Sequence, residues 1–440
     1  MTRRVVITGL GPVSGIGMGI DEVWDALCAG RSGIARLETF DPSGFSCQLA
    51  CEIKGFKVKN FVPKSYRKAT KVMARDIELA VAAADYAAKD AGLQTPGTAG
   101  DDGPRSYDAS RVSAQIGAGL IAADVEELTM ALAESAKSGS FDIHEWGKDG
   151  MNHLTPLWLL KYLPNMLASH VAIIHDTQGP SNTITCGNSS SGLSIGESLR
   201  VIQRGKAEAG LCGGIESKLN VMAYKRQEMS DRLSECETAD GVRPFDENAD
   251  GMVIGEGGGI VVLEETESYE NREKPENHKP YAEVVGFGAS QTVHRESRNW
   301  QTDPEGRAIA NAIKIALHEA DANPDEIDMI VAYGSGMPGW DAGEVAAYRK
   351  VFGDRLKDIP VITVKAFAGN CGSGGGGLDV CVAAKAIKDG KVPAIINRDA
   401  PLEGIGGNQD SQDKDIRHAL IISTGFGGQN TAILLKKYTA

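Results

Sequence analysis

What most narrows the fold of this chain is the order of its segments. Short apolar runs that close on glycine alternate with helical stretches, and the order returns in the second half. "RRVVITGLG" reads as a buried strand ending in a glycine turn, and "GIDEVWDALCAGRSGI" as a helix with Val23, Trp24, Leu27 and Cys28 at helical spacing. Residues 76–91 read as an alanine-rich helix, "RVSAQIGAGL" as a strand, and "TPLWLLKYLPNMLASHVAII" as a helical stretch broken near Pro164. "SGLSIGESLRVIQRG" is then a helix and "AEAGLCGGIES" a strand, while "GMVIGEGGGIVVLEE" reads as two strands or a hairpin with a glycine-rich bend.

The second half echoes this. "KPYAEVVGFGAS" and "IDMIVAYGSG" read as strands, "GRAIANAIKIALHEADA" and "GGGGLDVCVAAKAIKDG" as helices, and "HALIISTGFGGQNTAILLKK" as a closing hairpin. Alternation of this kind defines an α/β protein whose buried sheets are covered by helices. The polar, proline-containing stretch near residues 265–280 is the expected joint, giving halves 1–268 and 269–440.

Composition excludes several classes. A net charge of −13 argues against nucleic acid or an anionic membrane as the main partner. No apolar run approaches the ~18 residues of a membrane span, and no signal segment is visible. The eight cysteines lack paired spacing and a companion histidine cluster, so a reducing cytoplasm is expected and no metal or other cofactor. "GSGGGG" lacks the Lys-Ser/Thr ending of a phosphate loop and reads as close helix packing. His170 and His175, on an apolar segment, read as core or interface groups.

The stretch "NTITCGNSSSGLSIG", residues 182–196, is the obvious candidate for chemistry. A strand end, a small-residue turn and a helix start surround Cys186, and a thiol at a helix N-terminus is a plausible nucleophile. With "RRVVITGLGPVSGIG", "GPSNTITCGN", "VRPFDENADGMVIGEGGGIVVLEE" and "STGFGGQNTAILLKK", the chain resembles the type II β-ketoacyl-acyl-carrier-protein synthases over nearly its whole length. The resemblance implies a thiolase fold, five-layered αβαβα with two similar halves, and a two-fold dimer.

An active member of that family uses a cysteine to take the acyl chain and two histidines to bind the malonyl thioester. Counting from Gly179 and back from Gly196, both anchors place the nucleophile position at Asn188, two residues beyond Cys186. In a strand that offset is about 7 Å. The histidine positions correspond to Tyr333, in "AYGSGMPGWDAGEV", and Asn370, in "VKAFAGNCGSGG". The supporting Lys365 and Glu344 are kept, and Phe426 matches the family's gating phenylalanine.

Lys64, Arg67 and Lys68 match basic residues that in such synthases contact the acidic acyl-carrier protein. The resemblance to chain-length factors, whose nucleophile is replaced by an amide, implies a subunit that pairs with an active ketosynthase and shapes its acyl tunnel. Here the amide is Asn rather than the usual Gln. Two alternatives stay open: altered acyl chemistry on Cys186 or Cys371, and a non-catalytic homodimer that binds acyl-carrier protein.

Overall fold

The computed structural model describes residues 3–292 and 303–439. Its first half runs β1 (Val5–Ser14), α1 (Ile20–Cys28), α2 (Arg75–Asp90), β2 (Val112–Ala118), α3 (Met166–His175), β3 (Ser181–Ile184), α4 (Ser190–Gln203), β4 (Ala209–Glu216) and β5 (Gly257–Glu265). The second runs β6 (Ala282–Gln291), α5 (Arg307–Glu319), β7 (Met329–Val331), α6 (Pro338–Phe352), β8 (Val361–Ile362), α7 (Gly375–Asp389), β9 (His418–Thr424) and β10 (Gln429–Lys436). Hydrogen bonding orders the strands β8-β7-β9-β10-β6-β1-β5-β4-β2-β3.

That order is one arrangement used twice. Outward from β1 come β5 and β4, both antiparallel to their neighbour, then β2 and β3, both parallel. Outward from β6 come β10 and β9, again antiparallel, then β7 and β8, again parallel. Among the strands, the halves are joined through the pairs Val6↔Glu283 and Ile7↔Ala282 of β1 and β6. Three apolar clusters separate five layers. Helices α2 and α3 cover one face of the first sheet, α4 and α7 lie between the two sheets, and α5 and α6 cover the far face of the second. This is the thiolase fold in its αβαβα form.

The glycines read as a stop in "VITGLG" do not end the strand. β1 continues to Ser14 with a bulge between Ile7 and Gly9. A Cβ at Gly9 or Gly11 would come within 2.2 or 2.0 Å of the Ala87 or Ala83 carbonyl oxygen of α2. β6 repeats the device: its bulge falls between Val284 and Gly286, and a Cβ at Gly286 or Gly288 would lie 2.2 or 1.9 Å from the Ala316 or Ala312 carbonyl oxygen of α5. These glycines exist so that a helix can lie on the strand.

"GMVIGEGGG" forms no hairpin. Ile254–Gly255 pairs with Leu49–Cys51 in a small separate sheet, while β5 joins the main one. The break at Pro164 falls as expected, between the 3₁₀ segment Trp158–Tyr162 and α3. Leu159, in that 3₁₀ segment, is 57% exposed. "GSGGGG" packs backbone to backbone, since a Cβ at Gly374 or Gly377 would sit 2.0 or 2.1 Å from the Gly257 or Gly259 oxygen.

Gly11→Ala should therefore cost about 2–3 kcal/mol of stability, the overpacking range. Gly44→Ala, with open space around its Cβ position, should stay within about 0.5 kcal/mol. Denaturant unfolding of both variants measures the difference.

Candidate functional site

Each half places a helix start behind a tight turn. After β3 the chain passes Cys186 and Gly187, at φ +57°, into a 3₁₀ turn over Gly187–Ser189 that leads into α4. In the second half Cys371 and Gly372, at φ +55°, enter a 3₁₀ turn over Gly372–Gly374 that leads into α7. Asn188 lies in the first turn and Asn370 just before the second. β3 ends at Ile184, so Cys186 is a turn residue rather than a strand residue.

The structure brings Asn188, Tyr333 and Asn370 into contact, with 4%, 2% and 3% of their surfaces exposed. Both amides donate to the same phenol oxygen: Asn188 Nδ2 to Tyr333 Oη, and Asn370 Nδ2 to Tyr333 Oη at 3.2 Å. Asn370 is itself oriented, because its Oδ1 accepts from the Gly372 amide at 2.9 Å and its Nδ2 lies 3.1 Å from Met252 Sδ. Burial pushes the Tyr333 phenol well above its usual range, so it stays protonated and is no general base at neutral pH.

The kept residues support this arrangement. Glu344 on α6 accepts the main-chain amides of Tyr333 and Gly334 at 2.8 and 2.9 Å. Asp341, one turn earlier, accepts those of Phe245, Ser335 and Gly336 at 2.8, 2.8 and 3.1 Å. The Lys365 ammonium lies 4.5 Å from the Tyr333 ring centroid and pairs with Asp379 of α7 at 3.4 Å. Phe426, in the β9–β10 turn, lies between the Arg232 guanidinium, 3.6 Å from its ring centroid, and Trp340, edge-on at 4.7 Å.

Sequence reasoning missed Arg232, Met252 and Asp379. Arg232 sits in a polar loop with no local pattern, and the other two come from remote segments that only the fold brings in.

The two thiols differ. Cys371 is buried, with Sγ 3.5 Å from the Glu256 carbonyl, and burial pushes its pKa up to about 12. That holds it as an inert thiol. Cys186 is half-buried, and burial raises its pKa too.

The basic residues lie elsewhere. Lys64, Arg67 and Lys68 are exposed on successive 3₁₀ turns rather than on a regular helix face, and Arg75 turns inward to Glu256 at 2.8 Å. His170 meets Tyr66 of that region at 2.7 Å and His175 meets Thr95 at 2.9 Å, both as core groups. Among the described residues no group of His, Cys, Asp and Glu could hold a metal ion.

Paired βαβαβαββ halves, with a helix-start turn from each half at a shared centre, define the class as ketosynthases of the thiolase fold. The chain belongs to the β-ketoacyl synthase family: residues 2–268 match the model of the Beta-ketoacyl synthase, N-terminal domain, and residues 281–399 that of the C-terminal domain. It is 31% identical over 447 residues to the 3-oxoacyl-(acyl-carrier-protein) synthase 2 of Staphylococcus aureus strain COL, covering 100% of this chain and 99% of that one. The Coxiella burnetii protein of the same name is 32% identical over 444 residues, covering 99% of each. Among solved structures, the ishigamide ketosynthase/chain length factor superposes with a TM-score of 0.82 at 28% identity, covering 100% of each chain.

Three fully buried carboxyl groups give the pH dependence. Burial lifts Asp76 to about 7 from 3.8, Glu344 to about 7 from 4.5 and Asp379 to about 6 from 3.8. Between the unfolded and folded values the native state holds protons that the unfolded chain has released, so stability falls as pH rises. Their contribution is intact below about pH 4 and is lost by about pH 8. The melting temperature should drop between about pH 4 and 7, and Glu344→Gln should flatten that drop; scanning fluorimetry across pH reads both.

Proposed function

We propose that this chain is a ketosynthase-family subunit that does not condense acyl chains itself and serves as a chain-length-factor-like partner of an active ketosynthase in fatty-acid or polyketide synthesis. The observation that carries the reading is the closed set Asn188–Tyr333–Asn370. Where the family's nucleophile and two imidazoles would stand, an amide, a protonated phenol and a second amide are bonded to one another. A carboxamide forms no thioester, and neither neighbour accepts a proton at neutral pH. The halves divide at 268 and 269, and the working place is the cytoplasm, where the eight free cysteines stay reduced.

The surface supports a partner. β3 ends the strand ladder as an open edge, with Ser181 and Asn182 exposed. Leu157 and Leu159, in the preceding segment, and Ile173 on α3 are 65%, 57% and 59% exposed. Large apolar groups left in water mark a surface that another chain covers. Lys64, Arg67 and Lys68 form a separate basic patch suited to an acidic carrier protein despite the chain's net charge.

Co-expression with an active type II ketosynthase tests the reading. A stable complex and a changed product length are expected. An acyl adduct on this chain alone, lost in Cys186→Ala, would overturn it in favour of altered chemistry. A homodimer that binds carrier but no ketosynthase would leave only the scaffold reading. The triple reversal Lys64→Glu, Arg67→Glu and Lys68→Glu should weaken carrier binding at least about tenfold, some 1.4 kcal/mol; titration calorimetry at fixed salt measures it.

A further inference from the structure

Seven described residues other than glycine have positive φ, and five of them are Asp or Asn, the types that tolerate it best. Phe245, at φ +61°, is the only buried one of the seven. It stands in a turn over residues 243–246, closed by the Asp246 amide donating to the Arg243 carbonyl at 3.3 Å. Proline in the second position suits both common turn types. Positive φ in the third belongs to type II and calls for glycine or asparagine, whereas type I takes most residues there. "RPFD" is thus a type I sequence held in a type II backbone.

What holds it is a single peptide group. The Phe245 amide donates to Asp341 Oδ2 at 2.8 Å, and the other end of the same peptide, the Pro244 carbonyl, accepts from Arg398 Nε at 3.4 Å. The peptide therefore stands between a guanidinium and a carboxylate that would otherwise attract each other.

Arg398 is incompletely matched in this arrangement. It is 7% exposed, its Nη1 donates to the Val361 carbonyl at 2.8 Å, and its Nη2 is buried without a partner among the described residues. Asp341 leads the carboxylates that favour its charge, ahead of Asp246. A buried cation bonded only to carbonyls, with one donor left over, is costly to hold.

Turning the central peptide over converts a type II turn into a type I turn. The flip returns Phe245 to negative φ, takes its N–H from Asp341 Oδ2 and takes the Pro244 carbonyl from Arg398. The freed carboxylate oxygen and Nη2 then bond to each other. The surrounding anchors survive, because they lie outside the flipping peptide. The Asp246–Arg243 bond belongs to both turn types, the Leu402 amide donates to the Phe245 carbonyl at 2.8 Å, and the Ala400 amide to Asp246 Oδ2 at 2.6 Å.

The turn also touches the candidate site. A Cβ on Gly334 would lie 2.7 Å from Phe245 Cε2, so the buried ring backs the residue that follows Tyr333. We infer that residues 243–246 form a two-state catch: flipping the Pro244–Phe245 peptide bonds Arg398 to Asp341, draws the Phe245 ring off Gly334 and loosens the Tyr333 turn that closes the centre. The flipped state is the minor one, reached by local opening. The catch does not depend on the partner-subunit reading.

The test reads single amides in the whole chain. With 15N only in phenylalanine there are ten amide signals, and Phe245 is the one lost in Phe245→Leu. Its hydrogen exchange should run at least tenfold faster than that of Phe367, which is equally buried and donates to the Val364 carbonyl at 3.0 Å, and should not respond to dilute urea. Arg398→Leu and Arg398→Met remove the charge that the flipped turn needs. Each should slow Phe245 at least tenfold and leave Phe367 unchanged, while Arg398→Lys, which keeps the charge, should stay near the wild-type rate. With 15N-tyrosine, Tyr333 should slow in the same two apolar variants. Wild-type exchange of Phe245 at the Phe367 rate, or with the urea dependence of global unfolding, overturns the catch without any variant. Unchanged or faster Phe245 exchange in the apolar variants overturns it too, being what an Arg398 that merely props the two loops would give. Equal slowing in Arg398→Lys overturns the charge pairing, and a Tyr333 amide indifferent to the apolar variants overturns the link to the centre.

Discussion

Ser191 on α4 donates its hydroxyl proton to the carbonyl of Ser373 at the head of α7, and Gly192, Gly372 and Gly374 adjoin the pair. A Cβ at Gly192 would lie 2.2 Å from Thr431 Oγ1, and one at Gly376 would lie 2.6 Å from Ser423 Oγ and 3.4 Å from Ser191 Cβ. Two helices from different halves can start side by side between two sheets only if their first turns carry almost no side chain. That contact brings the turn holding Asn188 against the segments holding Tyr333 and Asn370. Larger residues at these crossings would separate the halves before they altered any polar group.

Given that contact, the buried polar groups at the centre are high-stakes, because an unpaired one costs more than a paired one returns. Glu344 and Asp341 are answered by main-chain amides, and Lys365 by Asp379 and the face of Tyr333. Glu344 therefore does structural work through the main chain at 333 and 334 whatever side chain position 333 carries. A site can exchange its reacting groups while its scaffold stays, provided the replacements satisfy one another. The two amides on one phenol oxygen meet that condition.

The repeated strand–helix order was legible because its period and its glycines are local properties of the chain, and the echo of the first half in the second foretold the identical strand orders. The positions Asn188, Tyr333 and Asn370 came from the resemblance to the family's motifs, with Asn188 counted from Gly179 and Gly196, and the fold brings all three together. The errors are those of distance. "VITGLG" reads as a strand end because the helix lying on Gly9 and Gly11 comes from residues 83–91. "VIGEGGG" reads as a possible hairpin because the strand that claims Ile254 lies two hundred residues earlier, at Leu49–Cys51. Arg232 over Phe426 leaves no mark in either local sequence, since a cation over a ring has no spacing rule across remote loops.

The pairing of Arg232 with Phe426 bears on how such a centre stays closed. Burial draws the guanidinium down to about 10, yet it remains a full cation at neutral pH and keeps its attraction for the ring. Trp340, from the same helix as Glu344, meets the same ring edge-on. The residue that corresponds to a gate is thus held by a charge and an indole at once, and its neighbour Gly425 lies against the Cys186 carbonyl. Moving the ring would give up both contacts.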